Sequence, residues 1–445
     1  MPFHVDQKEW DVVKEYLMDK PDGTKYSRKM SRLPHSFIKL NNQIYAVQPH
    51  AYLGKGVHGK SKLVQDEEGH IFVAKITYGD ASFFKMPINS YLAHKLGHAN
   101  RSLKRESKIL NDINLRKGYN KRLDVRKEVL VMEYLGEAFV HFIKNQKLNN
   151  ADEAELAFKL IKHLDDLHTG NLSKTNTRYI HGDLKEDNIT VDEQQNIHFV
   201  DFGLTKRATD SRDGLIRGVR QGTVPYMAPE TQSYQGLSFK SDIYSMGVIF
   251  KNNFKQNIIL KELAAIMTHE DPEQRPSTDL LQKTLIALCG QVDYEELSQY
   301  KAIAAILLAS SSDQKLWNEM NLQKIQSNEI VCKTLAACFE YLRKSKGVFH
   351  GDLGRKMTKT FIQNIISNNL TTQEIEQETM HFLQGSGKYQ QLFSGSSHHK
   401  SSRLSFLYDF GLLNNYVAHK NNIPFASLSK DERKNIERQV KQFKL

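Results

Sequence analysis

The sequence predicts an α+β protein of two unequal lobes, the first β-rich and the second helical, followed by a further helical C-terminal region. Three observations predict it. From Phe37 to about Leu135, short apolar runs of strand length alternate with turn residues. From about Asp152 onward, apolar residues recur mostly at helical spacing. The composition, 39% hydrophobic and 25% charged over 445 residues, is that of a chain that forms cores, neither disordered nor membrane-embedded. At about 100 to 200 residues per domain, such a length accommodates two to four domains.

The elements follow in order. Trp10, Val13 and Leu17 share one face of an amphipathic helix from Asp6 to Met18, which Pro21-Asp22-Gly23 ends as a turn. Phe37–Leu40 and Ile44–Val47, split by Asn41-Asn42-Gln43, read as a hairpin. Lys60–Val64 and Ile71–Ile76 flank a turn at Glu67-Glu68-Gly69 and read as a second. After about Gly290 the composition shifts. Tyr294 to Leu383 is helical in pattern, Gly385 to Ser402 is a Gly/Ser/His-rich loop containing His398-His399, and Lys430 to Leu445 is a charged, helix-like tail.

Several function classes are excluded at this level. Cys289, Cys332 and Cys338 form no C-x-x-C pair and are too few for a disulfide framework, which suits a reducing, cytosol-like compartment. Met1 to Trp10 carries charges and no apolar stretch, so no Sec-type signal peptide is expected. The longest aliphatic run, Ala302 to Ala309, is far short of the ~20 residues a bilayer span needs, so a soluble protein without a transmembrane segment is expected. The formal net charge of +11 is scattered and reads first as a generic basic surface.

Gly54-Lys55-Gly56-Val57-His58-Gly59 is a G-x-G-x-x-G run, whose glycines let backbone N–H groups approach phosphates. A dinucleotide fingerprint would open a helix; here a β-hairpin follows, which favours a flap over nucleotide phosphates. Lys75 ends the apolar run Phe72-Val73-Ala74, 21 positions after the first loop glycine. A lysine there is costly unless its ammonium meets an anion. Further on come His181-Gly182-Asp183-Leu184-Lys185-Glu186-Asp187-Asn188, Val200-Asp201-Phe202-Gly203, and Gly222-Thr223-Val224-Pro225-Tyr226-Met227-Ala228-Pro229-Glu230.

With these ordered motifs the chain resembles the eukaryotic-type Ser/Thr protein kinases over roughly residues 46 to 290. The resemblance implies a bilobal protein-kinase fold, with an N-terminal extension at 1–45, an N-lobe at 46–135, a C-lobe at 136–290 and a helical C-terminal region at 291–445. It implies ATP and Mg²⁺ as cofactors, with Asp183 as catalytic base, Lys185 steadying the transferred phosphoryl group, and Asn188 and Asp201 as metal ligands. Lys75 would bind the α- and β-phosphates and pair with a helical glutamate. Glu106 fits, because Ile109 and Leu110 would face inward on the same helix, whereas Glu128 and Glu133 fall on the next strands. The Lys75-to-Glu106 gap exceeds the family's usual one, so Ala81 to Asn100 reads as an insertion. In Val129–Leu135, Met132 resembles the gatekeeper, and the backbone of Glu133 and Leu135 would meet adenine beside Val73. Asp242 resembles the buried aspartate that holds the catalytic loop, and Arg275 would pair with Glu230.

Three departures stand out. Gly182 replaces the arginine that normally binds a phosphorylated activation-loop residue, so activity independent of that phosphorylation is expected even though Thr205, Thr209 and Ser211 are at hand. Ser61 stands where the family usually has valine over adenine. Only about a dozen residues separate Val248 from Leu263, where the family normally carries an additional helix and long loops. These departures and the Lys- and Asn-rich composition resemble the kinase effectors that Legionella-type intracellular bacteria secrete into host cells. Host proteins would then be the substrates and the basic tail a type IV secretion signal. Two rival readings are a pseudokinase scaffold and a small-molecule phosphotransferase. Retention of Lys75, Asp183, Asn188 and Asp201 weighs against the first, and the intact Gly222–Glu230 segment against the second. His350-Gly351-Asp352-Leu353 and Tyr408-Asp409-Phe410-Gly411 echo the motifs a second time, but Met357 holds the asparagine position and the spacing is too long, so they read as a chance echo or a decayed remnant. Lys206, Arg207, Arg212, Arg217 and Arg220 place part of the charge on the activation segment, so it no longer argues for nucleic acid and leaves an acidic substrate open.

Overall fold

The structure, a computed structural model, describes residues 3–28, 33–49, 53–55, 59–77, 103–122, 127–290, 294–310, 325, 328–344, 351–367, 370–384, 389, 408 and 425–442. The chain divides into two compact units. The first comprises residues 1–145, 166–224 and 231–242; the second comprises 146–165, 225–230 and 243–445.

The first unit opens with α1 (Gln7–Leu17), capped by the Asp6 carboxylate accepting from Lys8 N. Its buried Trp10, Val13 and Leu17 pack on Phe37 and Ala46. Strands β1 (Lys25–Tyr26), β2 (Ser36–Leu40), β3 (Gln43–Val47), β4 (Gly54–Lys55), β5 (Gly59–Gln65) and β6 (Ile71–Thr77) precede α2 (Leu103–Asp112), and β7 (Arg116–Arg122) and β8 (Lys127–Glu133) follow it. They form one antiparallel sheet in the order β1-β2-β3-β5-β6-β8-β7, with β4 paired to β5. The β2–β3 turn uses Asn41 and Asn42 at φ of 50° and 58°, the left-handed pair that matches the twist of a two-residue hairpin. The sheet curls until β7 meets the end of β2: Asn41 Nδ2 donates to Lys117 O at 2.8 Å, and Leu40 packs on Gly118. Inside lie Ile38, Leu40, Tyr45, Val64, Phe72 and Val131. Ile109 and Leu110 bury the inner face of α2.

Beyond the sheet come β9 (Glu137–Ala138), α3 (Phe139–Asn145), α4 (Asn150–Thr169), β10 (Tyr179–Ile180), β11 (Ile189–Val191), β12 (Ile197–Phe199), β13 (Lys206–Arg207), β14 (Ile216–Arg217), α5 (Pro229–Gln232), β15 (Gly236–Leu237) and α6 (Phe239–Asn253). Their strands make three small antiparallel sheets, β12-β11-β9, β10-β13 and β14-β15. Gly136 makes the turn into β9 at φ +90°, where a Cβ would lie 2.0 Å from Val191 O.

In the second unit, α7 (Ile258–Met267) follows α6 after only four residues, as the sequence spacing requires. That tight connection is organised by buried Glu153 on α4, whose carboxylate accepts from the backbone N–H groups of Lys255, Gln256 and Asn257 at 2.9–3.2 Å. Helices α8 (Thr278–Cys289), α9 (Tyr294–Ser310), α10 (Glu329–Lys344), α11 (Gly351–Ser367), α12 (Thr372–Gln384) and α13 (Lys430–Gln442) complete it. Ala302 to Ala309 on α9 are all buried, so this stretch of the helix is apolar all round, and α8, α10 and α11 pack on α9. Arg355 and Lys359 on α11 both pair with Glu262 on α7. Among the described residues no helix is long and apolar enough to cross a membrane. The second Gly351-Asp352-Leu353 starts α11 and is not a loop. His350, Asp409-Phe410-Gly411, the 81–100 insertion and His398-His399 lie outside the described residues.

Candidate active site

Lys75 sits on β6, held between Ser61 of β5 and Leu130 of β8 in the strand register. Its ammonium lies 2.5 Å from Glu106 Oε1 on α2 and 2.9 Å from Asp201 Oδ1. The 31-residue gap is therefore spanned, and Glu106, not Glu128 or Glu133, is the partner. Burial works against the lysine's charge, but Asp201 and Glu106 outweigh it and hold the ammonium well above its ordinary value. Burial pushes the Glu106 carboxyl up. Two carboxylates share one cation, a charge balance that favours a further cation beside them.

Asp201 adopts φ 62°, ψ 62°, the left-handed region that is strained for a residue with a Cβ. That turn sends its carboxylate toward Lys75 while Phe202, 1% exposed, goes under it with its ring 5.3 Å from that of His181. The backbone N–H of Phe202 donates to Glu106, so α2 and the Asp-Phe-Gly turn fix each other.

The loop after β10 is built on Asp242, 1% exposed, whose carboxylate accepts from His181 N at 2.7 Å, Gly182 N at 2.9 Å and pairs with His168 Nε2 at 3.0 Å. The His181 ring bonds Val200 O through Nε2 and accepts Asp183 N at Nδ1, the pattern of a neutral imidazole. Burial lowers its pKa in the same sense. Asp183 is thereby presented with Oδ1 accepting from Thr223 Oγ1 at 2.7 Å and Oδ2 3.8 Å from Lys185 Nζ. Lys185 donates to Thr223 at 3.2 Å.

Asn188 donates its amide nitrogen to Asp183 O at 2.8 Å, which leaves its amide oxygen on the opposite side of the group. That oxygen and the half-exposed Asp201 carboxylate are an all-oxygen donor set, which fits a hard divalent cation and not a soft one.

A cleft of about 710 Å³ in the first unit is lined by Gly54, Val73, Met132, Glu133 and Leu135 together with Lys75, Glu106, Lys185, Asn188 and Asp201. It has the size of a small-molecule site. The structure thus brings the expected residues together, with three qualifications. Gly56, Val57 and His58 lie outside the described residues, as do the side chain of Lys55 and the contacts of Gly59. Thr205 is not at hand as an acceptor: it is 1% exposed and its hydroxyl donates to His181 O. Several lining residues went unread in the sequence, among them Leu53, Ala138, Thr190 and Val200. The period-2 pattern of Ile189-Thr190-Val191 was the available signal for Thr190.

In the second unit, fully buried Arg275 forks onto Glu230 through Nη1 at 2.8 Å and Nη2 at 2.9 Å, the pairing expected from the sequence.

Residues 47–320 match the Protein kinase domain family, which runs past the compositional shift at Gly290. The chain is 30% identical over 179 residues to the Serine/threonine-protein kinase CLA4 of Candida albicans, covering 37% of this chain and 17% of that protein. It is 32% identical over 185 residues to CBL-interacting protein kinase 11 of Oryza sativa subsp. japonica, covering 40% and 35%. It is 25% identical over 290 residues to Aurora/IPL1-related protein kinase 2 of Caenorhabditis elegans, covering 61% and 88%. The chain thus spans a small part of the first relatives and most of the last. With more than half its length matched and the lysine, glutamate and aspartate constellation assembled in one cleft, the chain belongs to the protein kinase domain family.

Proposed function

We propose that this protein is a Ser/Thr protein kinase that transfers the γ-phosphate of Mg-ATP to protein hydroxyls, without needing phosphorylation of its own activation segment. The observation that carries the reading is the Lys75 ammonium held between Glu106 and Asp201 at one end of the cleft that Asn188 and Lys185 also line. Lys75 would orient the α- and β-phosphates, and Val73, Met132 and the Glu133–Leu135 backbone would hold the adenine. Asn188 and Asp201 would hold Mg²⁺, which when bound neutralises polyphosphate charge. Asp183 Oδ2 accepts the proton of the substrate hydroxyl while Thr223 fixes Oδ1, and Lys185 steadies the phosphoryl group. Catalysis is then positioning plus charge neutralisation.

Independence from phosphorylation is supported by what replaces the missing arginine. Gly182 sits at φ +73°, and Gln221 Nε2 fills the space its side chain would take while donating to Leu204 O at 2.6 Å. Arg178 bonds the carbonyls of Thr209 and Ser211 at 2.6 and 3.2 Å. The segment is thus tied down by side-chain-to-carbonyl bonds that involve no phosphate. Labelled ATP and a panel of host-cell lysate proteins test both parts: Lys75→Ala and Asp201→Ala should abolish transfer, whereas phosphatase-treated protein carrying Thr209→Ala and Ser211→Ala should keep it. Transfer surviving both of the first substitutions would overturn the kinase reading.

The finer reading, a bacterial effector delivered into the host cytoplasm, is supported by the effector resemblance of the sequence and by the charged helix α13. Removing residues 430–445 should abolish delivery of a reporter fusion while leaving kinase activity in place.

A further inference from the structure

Asp112, the last residue of α2, stands where an acid opposes the helix dipole, so helix stability does not explain it. Its carboxylate instead accepts from Ser173 Oγ at 2.5 Å, Tyr179 Oη at 2.9 Å and Thr175 Oγ1 at 3.0 Å, all from β10 and the residues before it, which lead into the Asp183 loop. Lys174 secures the same helix end, its backbone N–H donating to Asp112 O at 2.9 Å and its Nζ to Asn111 O at 2.8 Å. Ser173 Oγ in turn accepts from Thr175 N and Thr177 N, so the hydroxyls are themselves fixed. Burial opposes ionisation of Asp112, but the bonds from Ser173, Tyr179 and Thr175 prevail and hold its carboxyl below the usual range.

Six residues earlier, about 9 Å along the helix axis, Glu106 meets Lys75. The helix is therefore pinned at two points, one on the nucleotide lysine and one on the segment that carries the base. We propose that Asp112 is a positioning residue: its hydroxyl clamp with Ser173, Thr175 and Tyr179 sets the place of α2 and thereby keeps Glu106 on Lys75. This rests on the kinase reading for its activity readout. It explains how the helix stays in place without a phosphorylated activation segment.

Thr175 is exposed, so changing it disturbs the clamp with little effect on packing. In the full chain, Thr175→Ser should keep kcat within about twofold. Thr175→Val should lower it about tenfold, as loss of one hydrogen bond to a charged group allows. Thr175→Glu, which sets a second carboxylate against Asp112, should lower it further. Melting temperatures should be unchanged. In a Glu106→Gln background Thr175→Val should cost nothing more, because both act through one contact. Full activity in Thr175→Glu, or independent losses in the double variant, would overturn the proposal. Hydrogen exchange of α2 separates this from failure of the kinase reading. Were the unsubstituted chain inactive, faster exchange across Leu103–Asp112 in Thr175→Glu would still support the clamp, and unchanged exchange would sink it.

Discussion

The same four letters, His-Gly-Asp-Leu, occur once in each unit, and their Gly-Asp-Leu part folds differently in the two. At His181–Leu184 the glycine is left-handed, its N–H and that of His181 are held by Asp242, and the aspartate is presented to Thr223 and Lys185. At residues 350–353 the glycine and the residues after it begin a 17-residue helix whose later positions, Phe361, Ile362 and Ile365, are buried. A short motif is therefore not a site. What makes the first one chemical is a buried carboxylate 60 residues downstream that fixes its backbone, a tie that local propensity does not carry.

Replacing the two aspartates gives the largest contrast. Asp183→Ala should lower kcat by ~10²–10⁴-fold, the worth of a positioned base, while Asp352→Ala should leave it unchanged. Equal losses would abolish the distinction between the units. Next, Arg275→Ala strands the buried Glu230 carboxylate and should cost about 3–5 kcal/mol of stability in denaturant unfolding. A loss below about 1 kcal/mol would mean that the pair is not what braces the second unit.

A smaller effect comes from Gly182→Ala. A Cβ there would lie 2.4 Å from Gln221 Nε2 at a backbone angle unfavourable to L-residues, so about 1–2 kcal/mol of stability and part of the activity should be lost. The flexible end of Gln221 can move, and that bounds the loss. Gly351→Ala, at the first residue of a helix, should instead change stability by no more than about 0.5 kcal/mol. An equal loss at both glycines would contradict the assigned conformations.

The smallest expected effect is in pH dependence. His181 is kept neutral by burial, so its folded pKa lies below the unfolded value of about 6.5. The unfolded chain binds that proton first, so this contribution to stability is present above about pH 6.5 and declines as pH falls below it. Melting temperature measured from about pH 8 to about pH 5 should fall through that window, and the fall should be smaller in His181→Phe. An identical fall in both proteins would assign it to other groups.

Much of this was legible in advance. The Asn-Asn hairpin, helix α1, the Gly69 turn and the lysine within β6 each follow from residue types at fixed spacing, because local sterics and burial period act over a few residues. Glu106 was legible because Ile109 and Leu110 mark the inward face of its helix. Thr205 was misjudged as an available acceptor, since a hydroxyl's exposure depends on what packs over it. The clamp on Asp112 was not legible at all: its partners lie 61 to 67 positions away, and a lone Ser, Thr or Tyr has no pattern to announce it.

By itself, then, the sequence determined the fold class and named the candidate site residues, because binary patterning and motif spacing are local and Lys75, Asp183, Asn188 and Asp201 stand in an order that one family uses. Only the tertiary structure decided which copy of His-Gly-Asp is a loop, that Gln221 fills the place of the missing arginine, and that α2 is pinned at both ends. Those outcomes depend on hydrogen bonds between residues far apart in the chain, whose strength comes from burial that no local window contains.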